Sequence, residues 1–78
     1  MTATESNAAV SALAALKAQG YELDGDDEQG LLGGYVVHLR IPGTRRFARI
    51  GPRFTRTFTI DDRGRLVDCI TRENGAVK

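Results

Sequence analysis

The sequence is poor in the residues that usually build a chemical site. Among its 78 residues it has one cysteine, one histidine and no tryptophan. A lone Cys69 excludes an intrachain disulfide and suits a reducing cytosol. No Ser/His/Asp set, zinc-ligand spacing or phosphate-binding glycine loop is present. His38 and Cys69 would form a nucleophile pair only if the fold brought them together, and a free cysteine is more often a small buried hydrophobe. No catalytic residue, metal or cofactor is therefore expected. Long apolar runs are missing too, so no membrane-spanning helix is expected. The first basic residue is Lys17, after a stretch of mostly alanine and polar residues, which does not fit a secretory signal. Large apolar residues are few: twenty are Leu, Ile, Val, Phe or Met. One small, thin-cored domain over residues 1–78 follows, of a size that buries roughly 60% of its unfolded surface. A cytoplasmic protein is the natural reading.

What the chain does have is a strong division of charge. Residues 1–37 carry Glu5, Glu22, Asp24, Asp26, Asp27 and Glu28 against Lys17, whereas residues 38–78 carry nine arginines and Lys78 against four acids. The halves sum to −5 and +6 beneath a net charge of +1. Arg45, Arg46, Arg49, Arg53 and Arg56 fall within twelve residues. Such a cluster meets an anionic partner or is neutralised by the chain's own acids.

Thr2-Ala3-Thr4-Glu5 fits a capping box, with Ser6 as a rival N-cap, and an alanine-rich helix is expected over about residues 3–19. Gly20 suits the left-handed position after the helix, with Tyr21 then packing on Leu16. At 100° per residue Ala9, Leu13 and Leu16 share one face, with Ala12 beside them. The opposite face, Ala8, Ser11, Ala15 and Ala18, carries no charge. Alanine's helix propensity is the weightier explanation; the sharper one is packing on a second chain. Residues 24–34 combine four acids with four glycines and read as an acidic loop. Leu31 and Leu32 within it either tuck under the domain or wait for a partner. Asp24, Asp26 and Glu28 alternate as an EF-hand begins, but Gln29 and Tyr35 stand where that loop needs glycine and glutamate.

Residues 35–72 read as an antiparallel β-meander. Tyr35, Val37, Leu39 and Ile41 alternate with Val36, His38 and Arg40. Pro42-Gly43 suits a type II turn, residues 45–50 a second strand, and Gly51-Pro52 an interruption. Phe54, Arg56, Phe58 and Ile60 share one face of a third strand, and Thr55, Thr57 and Thr59 the other. A turn at Asp62-Arg63-Gly64 leads to the last strand, and the tail from Glu73 frays. Packing favours a register with Ile60 beside Val67 and Phe58 beside Cys69; a Gly64 bulge would instead pair Ile60 with Leu66. The fold class is α+β: one N-terminal helix across a three- or four-stranded antiparallel sheet, one face of which is left polar, paired or used.

The leading expectation is a small non-catalytic binding protein that blocks or bridges a macromolecule, most of all a protein. Arg45, Arg46, Arg49, Arg53 and Arg56 are the expected anchors, with Arg40, Leu31 and Leu32 as secondary contacts. The second expectation is a nucleic-acid-binding protein using the same arginines on phosphates. Phe47 and Phe54 could stack bases, but the reading ranks lower because both fit better as core residues and because a pI of about 7.9 is modest for such a role. The plainest alternative is a solvated face whose arginines pair with Asp61, Asp62 and Asp68. A thin core, a neutral helix face and open sheet edges also favour a homodimer. Chains of this size and style are common among phage and plasmid accessory proteins, anti-CRISPR inhibitors included; that is an analogy of profile, not of residues.

Overall fold

The computed structural model describes residues 2–74. Helix α1 (Ala3–Ala18) is followed by a short strand β1 (Glu22–Leu23), a short helix α2 (Glu28–Leu32) and four strands: β2 (Val37–Arg40), β3 (Arg46–Ile50), β4 (Phe54–Ile60) and β5 (Leu66–Glu73). The sheet is an antiparallel meander in the order β1-β2-β3-β4-β5. The α+β class stands, with one strand more than expected: of residues 21–23, which the sequence leaves as a short strand or a helix exit, Glu22 and Leu23 form a strand and pair with Arg40 and Leu39. No helix among the described residues is long and apolar enough to cross a membrane.

Both ends of α1 follow from its sequence. The Thr2 hydroxyl accepts the Glu5 N–H, and the Glu5 carboxylate accepts the Thr2 N–H, each at 3.1 Å. At the other end Gly20 takes φ +102°, the Tyr21 N–H donates to the Leu16 carbonyl and the Gly20 N–H to that of Lys17. This is a Schellman cap, and Tyr21 joins Leu16 in the core.

Ala9, Leu13 and Leu16 of α1 bury against Val37, Leu39, Ala48 and Ile50 of β2 and β3, with Leu31 of α2 completing the cluster. Segment 24–34 is thus not a loop throughout. Asp27 caps α2 by accepting the Gly30 N–H at 3.1 Å. A Cβ on Gly30 would lie 3.3 Å from Val37 Cγ1, so its absence lets α2 sit tight on β2. Leu31 is fully buried there, which removes it from the contact candidates, while Leu32 remains exposed.

The turns carry the expected glycines at positive φ, Gly43 after Pro42 and Gly64 after Arg63. The β4–β5 register joins the two alternatives. Phe58 pairs with Cys69, but Ile60 pairs with Leu66, and an irregularity at Thr59/Ile60 leaves Val67 without a cross-strand partner. The Ile60–Val67 pairing is therefore incorrect. Cys69 is exposed, contrary to expectation, because its place opposite Phe58 on the edge strand β5 puts it on the sheet face away from the helices. Strand β5 runs through Glu73, and Asn74 is held by hydrogen bonds to Gly51 and Arg53, so fraying does not begin at Glu73. Residues 75–78 of the expected tail lie outside the described residues.

Candidate nucleic-acid interface on the uncovered sheet face

Strand alternation decides which side chains share a face. Ala48 and Ile50 point at the helices, so Phe47 and Arg49 point away from them. Cross-strand register extends that uncovered face over the sheet in rows. One row is His38, Arg49, Arg56 and Thr71; the next is Glu22, Arg40, Phe47, Phe58 and Cys69. Phe54 and Glu73 flank the first row, and Ile60 with Leu66 flanks the second. The rings of Phe47 and Phe58 stack with centroids 5.5 Å apart and planes 18° apart. The Arg49 guanidinium carbon lies 5.6 Å from the Phe58 centroid, a cation–π contact. His38, Phe47, Arg49, Phe58 and Ile60, with Asp24 at the rim, line a shallow depression of about 350 Å³.

Arg49 and Arg56 are direct cross-strand partners. Like charges so placed repel, and the arrangement costs stability unless something anionic sits over it. Arg56 Nε donates to the Thr71 hydroxyl at 3.1 Å, which orients its guanidinium without neutralising it. Among the described residues, the ion pairs within 4.0 Å are Asp26–His38, Glu5–Arg53 and Asp61–Arg65. Arg40, Arg45, Arg46, Arg49 and Arg56 have none.

The arginine cluster is divided rather than gathered. Arg49 and Arg56 meet on the uncovered face, joined by Arg40, and Arg45 stands at its edge opposite Ile60. Arg46 projects from the other face, beside Tyr21, Thr59 and Asp68. Arg53 lies in the β3–β4 turn, where its Nε donates to Glu5 Oε2 at 2.8 Å. That hydrogen bond, followed by one from the Thr2 N–H, holds the Glu5 carboxyl at a pKa of about 2. Asp61 closes the β4–β5 turn by accepting the N–H groups of Arg63 and Arg65, both at 2.9 Å, and the latter bond leads in pulling its pKa down.

The sequence offers Phe47 and Phe54 for stacking but favours them as core residues; both are only half-buried, on the face without helices. The ring that stacks on Phe47 is Phe58, which sequence reasoning does not single out. The ring of Phe54 instead covers Gly51, where a Cβ would come within 2.8 Å of Cε1. His38 is exposed, its Nδ1 2.9 Å and its backbone N–H 2.8 Å from Asp26 Oδ2, so Asp26 ties the acidic segment to β2 and has a lowered pKa, the imidazole bond contributing most. Strand parity contained this signal: a face that carries Arg49 and Arg56 cannot be the buried one, and Phe47 and Phe58 share it.

His38 and Cys69 stand on β2 and β5, three strands or about 14 Å apart, and do not form a nucleophile pair. No group of three His, Cys, Asp or Glu side chains among the described residues is placed to hold a metal ion. The larger cleft, about 440 Å³, lies on the opposite face between Ala8, Ser11 and Ala15 of α1 and Thr55, Thr57, Ile70 and Arg72 of the β4–β5 hairpin. Searches against family models, curated proteins and solved structures found no match to this chain.

Proposed function

We propose that this chain is a non-catalytic binding module and that its uncovered sheet face takes single-stranded nucleic acid. Arg40, Arg49 and Arg56 contact phosphates, and the Phe47–Phe58 pair offers a surface for stacking bases. The observation that carries this reading is a stacked aromatic pair touching a row of arginines that, among the described residues, have no ion-pair partner and lie on a face no helix covers. The rows are two residues apart along the strands, about 7 Å, so stacking and phosphate contact alternate at short range. The face is a five-stranded sheet surface, broader than the helix or two-stranded ribbon that a duplex major groove admits, which favours a single strand. Phe47, which as an expected core residue ranks this reading second in the sequence, supports it from the uncovered face. A cytoplasmic setting suits the exposed thiol of Cys69 at the edge of the site.

A fluorescence-anisotropy titration against labelled single-stranded and duplex DNA and RNA tests the proposal. Single strands bind more tightly than duplex, and affinity falls log-linearly with salt at a slope of about −2 if three phosphates are neutralised. Arg49→Glu with Arg56→Glu abolishes binding, and Phe58→Ala weakens it about tenfold, the equivalent of one lost stacking contact. No binding at low salt, or unchanged binding by the Arg49/Arg56 variant, overturns the reading.

A protein partner is the second reading. Leu66, 62% exposed beside Ile60, makes one end of the same face apolar, and buried Arg and Phe anchors also suit protein interfaces. Failure with every nucleic acid together with a partner captured through Arg49 and Arg56 would favour it.

A further inference from the structure

Strand β5 ends the sheet with eight residues, all exposed, whereas β1 at the other end is only two residues long. A long, regular edge is a template for another strand, and proteins normally blunt it with proline, lysine or a bulge. Here the irregularity lies only at the start of β5, beside Val67; from Asp68 to Glu73 the ladder is regular. The register identifies the free backbone groups. The Asn74 N–H donates to the Arg53 carbonyl at 2.9 Å, so Asn74, Arg72, Ile70 and Asp68 turn their backbone groups towards β4. Those of Cys69, Thr71 and Glu73 turn outward.

The side chains are arranged with the same symmetry. Asp68, Ile70 and Arg72 stand on the helix side of the sheet, in register with Thr59, Thr57 and Thr55. An acid and a base thus lie two residues either side of an isoleucine that is 45% exposed. Neither Asp68 nor Arg72 has an ion-pair partner within 4.0 Å among the described residues.

We infer that two copies of this chain pair β5 to β5, antiparallel, about a twofold axis through Ile70. In that register Cys69 and Thr71 exchange backbone hydrogen bonds with the partner's Thr71 and the partner's Cys69. Ile70 meets the partner's Ile70 in a pair without mutual backbone bonds, the type that brings side chains closest. Asp68 faces the partner's Arg72, and Arg72 the partner's Asp68, so the interface is complementary to itself. An axis on Cys69 or Thr71 also satisfies the backbone, but it sets Asp68 or Arg72 against isoleucine. Charge therefore selects the axis at Ile70. The product is a continuous ten-stranded sheet with both α1 helices on one side and both arginine–phenylalanine faces on the other. This inference does not depend on what those faces bind.

Sedimentation equilibrium from micromolar to millimolar protein tests it, on wild type, Asp68→Arg, Arg72→Asp and the double exchange. Wild type reaches twice the 8.5 kDa chain mass. Each single variant sets like charges across the axis twice and weakens the dimer roughly tenfold, and the double exchange restores it. Circular dichroism melts of the variants, matched to wild type, separate a lost interface from a lost fold. As a test of register, Ile70→Cys in a Cys69→Ser background forms an interchain disulfide on mild oxidation, because the paired Cα atoms are about 4.5 Å apart, within bridging range. Wild type does not crosslink, since Cys69 faces threonine. A monomer at every concentration, dimerisation unaffected by either single exchange, or a folded double variant that stays monomeric overturns the inference.

Discussion

Strands β2 and β3 bury Val37, Leu39, Ala48 and Ile50 beneath two helices, while all eight residues of β5 stay exposed. The two regions belong to one sheet and differ in what covers them. Helix α1 has a single apolar face, Ala9, Leu13 and Leu16, wide enough for two strands. The β4–β5 hairpin extends past it and carries Thr55, Thr57 and Thr59 where β2 and β3 carry aliphatic residues. Stability is thus concentrated in one half of the sheet, and chemistry available to a partner in the other half and on the uncovered face.

Substitutions should separate these regions. The largest effect belongs to Leu13→Ala, which removes a side chain 1% exposed at the centre of a small core and should cost about 2–5 kcal/mol in chemical denaturation. In the bare half, Leu66→Ala should cost less than about 1 kcal/mol, because Leu66 is largely exposed already. Equal losses at both positions would erase the comparison. Next comes Thr2→Ala, which removes the hydroxyl half of the α1 capping box and should cost about 1 kcal/mol by thermal melt. Arg49→Glu should act in the opposite direction, stabilising the fold by a few tenths of a kcal/mol as repulsion from Arg56 becomes attraction, while weakening binding. A destabilised variant would show that the Arg49–Phe58 contact outweighs the repulsion.

The smallest effect is a pH dependence in the covered half. The pKa of Glu5 lies at about 2 in the folded chain against an ordinary value of 4.5. Its contribution is therefore complete above pH 4.5 and is lost as the pH falls towards 2. Asp26 and Asp61, also lowered, act in the same direction. Glu5→Gln should flatten the acid limb of a stability–pH curve without removing it, and an unchanged limb would exclude the Glu5–Arg53 bond as a contributor.

Much of this division was legible in the sequence, because its causes are local. The capping box at Thr2, the Schellman glycine at 20, the helix face of Ala9, Leu13 and Leu16, and the strand alternation each depend on residues close in the chain. Helix α2 is not legible: in the sequence its cap Asp27 is one acid among the four of an acidic, glycine-rich segment, and Gly30 gains its meaning only from the approach of Val37. Polarity alone puts Cys69, Phe47 and Phe54 in the core. Their exposure depends on which face of the sheet the helices cover, which is a tertiary fact. The arginines formed a cluster in the sequence, but parity and the turn at Gly51 distributed them over two faces and a turn.

The simple strand order has a kinetic consequence. Each strand lies beside its neighbour in the chain, and β2 to β5 are joined by short turns, so little chain entropy opposes those three pairings. The long-range closures are those that bring α1 onto β3 and Glu5 to Arg53. As the chain is synthesised, β2 and β3 can meet before β5 exists, so the row from His38 to Thr71 is completed only when the final hairpin zips shut.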